Sequence, residues 1–148
     1  MKHLLVFVII SLGLCEIVAY GAPRPEKTED GTLVATIAVP QRQPDNLTLK
    51  DIRTAIIKAV VGRKFQIEES REDRVVVSYE RTGQGVVFTI TYGVKDVKIY
   101  ARGKIIEKQV RFPSREKEKV EATWPKRWLE ALKRDIPLYL SEQMVLAN

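Results

Sequence analysis

Three carboxylates that lie close together in the chain, Glu68, Glu69 and Asp73, have the residue type and spacing for acid–base chemistry. Two neighbouring carboxylates can serve as general acid and general base when burial separates their pKa values. A small hydrolase or transferase could use them in this way. A charged turn is the commoner explanation, because surface carboxylates beside Arg71 and Arg74 are ordinary.

The rest of the chain offers few other catalytic groups. His3 and Cys15 are the single histidine and the single cysteine, and both lie in the first fifteen residues. If that segment is removed, the mature domain has no Ser–His–Asp or Cys–His arrangement and no histidine or thiolate zinc site. We therefore expect no metal, no cofactor and no enzymatic activity.

Residues 1–21 have the pattern of a signal peptide. A basic start is followed by an apolar run from Leu4 to Leu14, which is too short to span a bilayer as a helix. Small residues at Ala19 and Gly21 predict cleavage before Ala22. An uncleaved membrane anchor is the alternative, although Glu16 interrupts the apolar run.

Cys15 offers another route to the membrane, as the lipidated first residue of a lipoprotein. Leu12 lies three residues before it, as that processing requires, but Leu14 occupies a position where a small residue is needed. The sequence therefore favours a periplasmic or secreted protein. Membrane association is expected only if Cys15 is lipidated or the leader is retained.

The net charge is +6 and the isoelectric point is about 9.5. Such a surface attracts anionic lipid head groups, acidic polysaccharides or nucleic acids, or it is simply a basic surface without a specific partner. Acidic residues are interspersed with the basic ones, and among the aromatics of the exposed sheet face only Tyr100 qualifies for base stacking. These features argue against nucleic acid.

The elements that position these residues centre on Arg74 to Arg102. Apolar residues alternate with polar ones along three runs: Val75, Val77, Tyr79; Val86, Phe88, Ile90, Tyr92; Val97, Ile99, Ala101. Alternation with period two predicts three antiparallel strands with one buried face. Thr82 to Gly85 and Gly93 mark the reversals.

The segments before this meander predict a linker, a possible strand and a helix. Residues 22–30 are polar and contain prolines, which predicts a flexible linker. Leu33–Val39 is either a further strand or an extended arm. A helix is expected to begin at Thr48, with Asp51 completing a capping box, and to end near Gly62. Asn46 also begins a glycosylation sequon, but capping alone explains Thr48.

The segments after the meander predict an exposed, charged connection over Lys108 to Ala122 and a second helix that begins near Thr123. Pro137 should kink or interrupt that helix. One apolar stripe runs along it at helical spacing: Trp124, Trp128, Ala131, Leu132, Ile136, Leu140. Core packing is the commoner use of such a stripe, although an aromatic pair can also form a ligand platform.

The expected architecture is α+β: a two-layer sandwich in residues 31–148, with both helices on one face of an antiparallel meander sheet of three to five strands. The opposite sheet face should be open to solvent and is the first candidate binding surface: Thr89, Thr91, Lys98, Tyr100, Arg102. A second candidate surface is a pocket edge near Tyr79, Tyr92 and Trp124.

The order of these pieces resembles a family of small exported bacterial proteins, many of them lipoproteins. The resemblance rests on spaced motifs: Ala55-Ile56, Arg63-Lys64-Phe65, Val75 to Tyr79, Phe88 to Tyr92, Trp128-Leu129. Lys64-Phe65 stands where the family has Gly-Trp, and no Ser-Asn-Leu follows Tyr92. The resemblance implies this fold and an envelope location, but no activity.

Together these observations predict a non-catalytic, exported or cell-envelope protein. Its basic surface would bind an anionic envelope component or a protein partner. The alternative is the carboxylate-dependent hydrolase or transferase of the envelope.

Overall fold

The computed structural model describes residues 27–41, 46–109 and 117–146. The elements in these ranges are β1 (Lys27–Thr28), β2 (Gly31–Ala38), α1 (Leu49–Gly62), β3 (Gln66–Ser70), β4 (Arg74–Arg81), β5 (Gln84–Tyr92), β6 (Asp96–Gly103), β7 (Ile105–Gln109), β8 (Lys117–Glu121) and α2 (Lys126–Leu146). The predicted signal peptide, residues 1–21, lies outside the described residues.

The main sheet has the strand order β1-β2-β6-β5-β4-β3, and every neighbouring pair is antiparallel. Strands β4, β5 and β6 form the predicted meander. Of the two possibilities for Leu33–Val39, the strand is correct, because β2 pairs with β6 along its length. The predicted α+β class is confirmed.

The helices and the sheet enclose one apolar core. Both helices pack on the sheet face formed by Val77, Phe88, Ile90 and Ile99, as predicted, and all four side chains are fully buried. The helices contribute Ile52, Ile56, Ala59, Val60, Leu132, Ile136 and Leu140. Burial of this apolar surface is the main force that holds the two layers together.

Local chemistry determines where α1 begins. The Thr48 hydroxyl accepts a hydrogen bond from the Asp51 amide at 3.3 Å, and the Asp51 carboxylate accepts one from the Thr48 amide at 2.9 Å. The predicted capping box is therefore confirmed. The Thr48 hydroxyl also donates to Asp51 Oδ2 at 2.6 Å, and this bond, together with the one from the Thr48 amide, holds the pKa of Asp51 below its ordinary value.

Helix α2 begins later than predicted, and of the two outcomes expected at Pro137 the interruption is wrong. It begins at Lys126, after Pro125, and it continues through Pro137 without interruption. A proline in a helix removes one amide donor and crowds the preceding turn. The fully buried Ile136 and Leu140 on either side keep this segment helical, because leaving the helix would expose them to water.

The prediction of an exposed connection over Lys108 to Ala122 is wrong in part. Strands β7 and β8 form a second, two-stranded sheet in this region. The register places Glu107 opposite Lys119 and Ile106 opposite Val120. Opposite charges and apolar residues that face each other across strands stabilise such a hairpin, so the alternating charges favour strands here.

The polar face of the sheet is not open throughout. Thr89 is 2% exposed and Tyr100 is 8% exposed, so their predicted exposure is wrong. Asp30, in the turn between β1 and β2, lies 3.6 Å from Arg74 on β4. In a flat sheet, β2 and β4 would lie about 14 Å apart, because β6 and β5 lie between them.

The sheet therefore coils, and the turn between β1 and β2 folds over its polar face. An irregular register between Leu33 and Ala35 provides the bend. The last residues of the predicted linker 22–30 thus belong to the fold, because Lys27–Thr28 pairs with β2 as β1. Residues 22–26 of that linker lie outside the described residues.

Candidate functional site

A pocket of about 440 Å³ lies where the connection after α1, strand β4 and the first turns of α2 meet. We call it the basic–aromatic pocket. Its lining has three aromatic rings, three guanidinium groups and two further residues: Phe65, Tyr79, Trp128; Arg63, Arg127, Arg134; Glu130, Ala131. The volume lies within the range of small-molecule sites.

The aromatic wall of the pocket is built on the core. Phe65 packs against the buried Phe88 with ring centroids 5.8 Å apart, and against Tyr79 at 5.3 Å. Trp128 meets Tyr79 edge to face at 4.7 Å, with an interplanar angle of 79°. Because each ring is fixed by its neighbour, the wall is preformed.

The Asp135 carboxylate holds two of the guanidinium groups in place. Arg63 donates from Nε to Oδ2 at 2.5 Å and from Nη2 to Oδ1 at 3.1 Å, and Arg134 donates from Nε to Oδ1 at 3.1 Å. Within the described ranges, Arg63 thus leaves Nη1, and Arg134 leaves both Nη groups, for other acceptors. A carboxylate or phosphate is the natural acceptor for such groups.

Arg127 brings the third guanidinium group to the pocket from the first turn of α2. No carboxylate in the described part of the chain forms an ion pair with it, and the first turn of α2 contains no acidic residue. The amino end of a helix carries a partial positive charge, so Lys126 and Arg127 there are electrostatically unfavourable. An anion bound in the pocket would relieve that repulsion.

Asp135 should make stability depend on pH. The hydrogen bond from Arg63 holds the pKa of Asp135 below its ordinary value of 3.8, although burial opposes this. A depressed pKa means that the stabilisation is present above the unfolded-state pKa and is lost as pH falls through the folded-state pKa. Asp135→Asn should therefore be less stable than wild type at about pH 7, by about 0.5–1 kcal/mol because both arginines remain partly solvated.

Urea unfolding of both proteins between about pH 7 and pH 2 measures this difference. The difference should shrink as pH falls below the ordinary Asp value. Asp51, whose pKa is also lowered, adds the same pH dependence to the stability of both proteins, so it cancels in the difference. A difference that stays constant with pH would contradict the assignment.

The first predicted binding surface is not assembled as one exposed patch. Thr89 and Tyr100 are buried, Thr91 and Lys98 are half-buried, and Arg102 is exposed. The turn between β1 and β2 reaches this side of the sheet, where Asp30 lies 3.6 Å from Arg74.

The second predicted surface is brought together only in part. Tyr79 lines the basic–aromatic pocket. Tyr92 is 6% exposed, and this burial raises the pKa of its hydroxyl. The hydroxyl donates a hydrogen bond to the Arg71 carbonyl at 2.8 Å. Trp124 packs edge-on against Phe88 at 5.4 Å as part of the core. Trp128, rather than Trp124 or Tyr92, joins Tyr79 at the pocket.

The three carboxylates considered for acid–base chemistry do not converge. Glu68 accepts a hydrogen bond from the Ser78 hydroxyl at 2.5 Å, and Glu69 forms ion pairs with Arg71 and Arg74. Asp73 lies in the exposed turn before β4. Among the described residues, no group of three or more His, Cys, Asp or Glu side chains is placed to hold a metal ion.

Sequence reasoning missed the cations of the pocket. Arg63 and Arg134 are far apart in the chain, and the contact between Arg63 and Asp135 spans 72 residues. One local signal was available: Lys126 and Arg127 open a helix that has no acid in its first turn. Basic residues at that position are unusual enough to suggest an anion site.

The sequence matches no protein-family model and no curated protein, and the structure matches no solved structure. Within residues 27–41, 46–109 and 117–146, no helix has the length and apolar character needed to cross a membrane. The family resemblance therefore stays a prediction.

Proposed function

We propose that this protein is a non-catalytic, exported binding protein that holds an anionic partner in the basic–aromatic pocket. The observation that carries the proposal is the convergence of Arg63, Arg127 and Arg134 on one pocket lined by aromatic rings. Guanidinium groups bind carboxylates and phosphates in two-point contacts, and aromatic walls add apolar contact area.

The balance of charges in the pocket supports an anionic ligand. Asp135 pairs with Arg63 and Arg134, and Glu130, the one carboxylate in the pocket lining, pairs with Lys133 at 3.0 Å. Arg127 is left to face the pocket without a carboxylate partner among the described residues. A bound anion would accept hydrogen bonds from Arg127 and from the Nη groups of Arg63 and Arg134 that do not contact Asp135.

A titration with phenyl phosphate and benzoate tests the proposal, with benzylamine as the cationic comparison. Trp128 lines the pocket, so its fluorescence reports occupancy. Both anions should bind and benzylamine should not. Arg127→Ala should weaken anion binding about tenfold, the size expected for one lost charge-assisted hydrogen bond at a partly solvated site.

Lys126→Ala is the matched control, because it removes the same charge from the neighbouring residue, which does not line the pocket. It should change the affinity by less than about twofold. If the two variants weaken binding equally, the attraction is only long-range, and the pocket is not the site.

Export rests on the leader pattern of residues 1–21 and on the family resemblance. The intact mass of protein recovered from the native host should correspond to a chain that begins at Ala22. A chain that begins at a lipid-bearing Cys15 would instead place the pocket at a membrane surface. A chain that retains Met1 in the cytosol would overturn the export proposal.

A further inference from the structure

The guanidinium groups of the basic–aromatic pocket occupy two separate places. Arg63 Nη2 and Arg134 Nε both donate to the same atom, Asp135 Oδ1, at 3.1 Å, so these two groups lie side by side. Arg127 lines the same pocket but, within the described ranges, forms no hydrogen bond to Asp135. The pocket therefore has a paired cation cluster and a single cation.

Helix geometry separates the single cation from the cluster. Arg127, Ala131 and Arg134 are spaced i, i+4 and i+7, so they lie on one face of α2, and all three line the pocket. Seven residues of α-helix correspond to a rise of about 10.5 Å. Because side chains on one helix lean in the same direction, Arg127 and Arg134 bring their charges to opposite ends of the pocket.

Each end keeps an uncompensated positive charge. At one end, the single carboxylate of Asp135 is shared by the guanidinium groups of Arg63 and Arg134. At the other end, Arg127 has no carboxylate partner in the described part of the chain. Glu130 does not supply one, because Lys133 Nζ lies 3.0 and 3.2 Å from its two carboxylate oxygens.

The surface between the two ends is apolar. Ala131 lies between the two arginines on α2 and contributes only a methyl group to the lining. The rings of Tyr79 and Trp128, 4.7 Å apart, form a corner in the same pocket. Methylene or aromatic groups can be buried against such surfaces without leaving a polar atom unpaired. The volume of about 440 Å³ suits a small molecule.

We infer that the ligand is a small dicarboxylate whose two carboxylates are separated by an apolar spacer. One carboxylate would accept hydrogen bonds from Arg127, and the other from the free Nη groups of Arg63 and Arg134. This inference rests on the proposed function and names its ligand class. A phosphate monoester also has about two negative charges, but both are on one group, which can meet only one end.

A calorimetric titration with succinate, adipate and suberate tests the spacing, at about pH 8 and fixed ionic strength. Octanoate is the matched monocarboxylate, because it has the same number of carbon atoms as suberate. Suberate should bind at least about tenfold more tightly than octanoate, the effect of one further charge-assisted contact. Affinity should rise from succinate to suberate, since the shorter diacids cannot reach both ends of the pocket.

Arg127→Ala should remove the advantage of suberate over octanoate, because only one charged end remains. Arg127 is exposed in the first turn of α2, where a positive charge is unfavourable. The variant should therefore unfold at no lower urea concentration than wild type. Lys126→Ala is the charge-matched control and should preserve the advantage, since Lys126 does not line the pocket.

Three results would overturn the spaced dicarboxylate while leaving the proposed function intact. The first is equal affinity for suberate and octanoate, with both weakened by Arg127→Ala. The second is succinate binding as tightly as suberate, and the third is phenyl phosphate binding more tightly than suberate. If none of these anions binds, the spaced dicarboxylate and the proposed function are both wrong.

Discussion

Phe88→Ala should lower the free energy of unfolding by about 3–5 kcal/mol, the cost of truncating a large ring in a packed core. Phe88 is fully buried at the centre of the sheet, with the rings of Phe65 and Trp124 at 5.8 and 5.4 Å. Removal of the ring leaves a cavity between two aromatic neighbours that cannot both move into it. Urea unfolding followed by circular dichroism measures the loss.

Phe88→Leu is the control for this prediction, because it keeps most of the volume and should cost less than about 1.5 kcal/mol. The ring of Phe65 joins Phe88 to the pocket wall at Tyr79, so Phe88→Ala should also weaken anion binding. A loss of less than about 1 kcal/mol for Phe88→Ala would mean that this sheet face does not lie against the helices.

Gly103→Ala should be the second large effect, at about 1–3 kcal/mol, the usual range for an added group in a closely packed site. A methyl group on Gly103 would collide with the Ala122 carbonyl oxygen and the Glu121 side chain. These groups are held in place, because the Gly103 amide donates to Glu121 Oε1 at 2.7 Å and the Ala122 amide donates to the Lys104 carbonyl at 2.9 Å.

The contact of Gly103 with Glu121 and Ala122 lies a few residues before α2 begins, so it helps to position Arg127 and Trp128. We therefore expect Gly103→Ala to weaken anion binding as well as stability. Gly93→Ala is the control, since an added methyl group there would have no atom within 4 Å, and it should change stability by less than about 0.5 kcal/mol. Similar losses in the two variants would show that backbone flexibility, not contact at the junction, is responsible.

The local order of residues was sufficient to predict the meander, the buried sheet face and the start of α1. The period-two alternation along β4, β5 and β6 determines which side chains face the helices, and the Thr48–Asp51 pair determines where α1 begins. These features depend on residues a few positions apart, so their physical causes are present in the sequence itself. The α+β class follows from them.

The candidate binding site and the bending of the sheet depend on contacts between distant residues. The pocket requires α1, β4 and α2 to meet, and its Arg63–Asp135 contact joins residues 72 positions apart. The contact between Asp30 and Arg74 depends on a coiled sheet, because strands β6 and β5 lie between β2 and β4. No local pattern encodes such contacts, because they arise only when the helices and strands pack around one core.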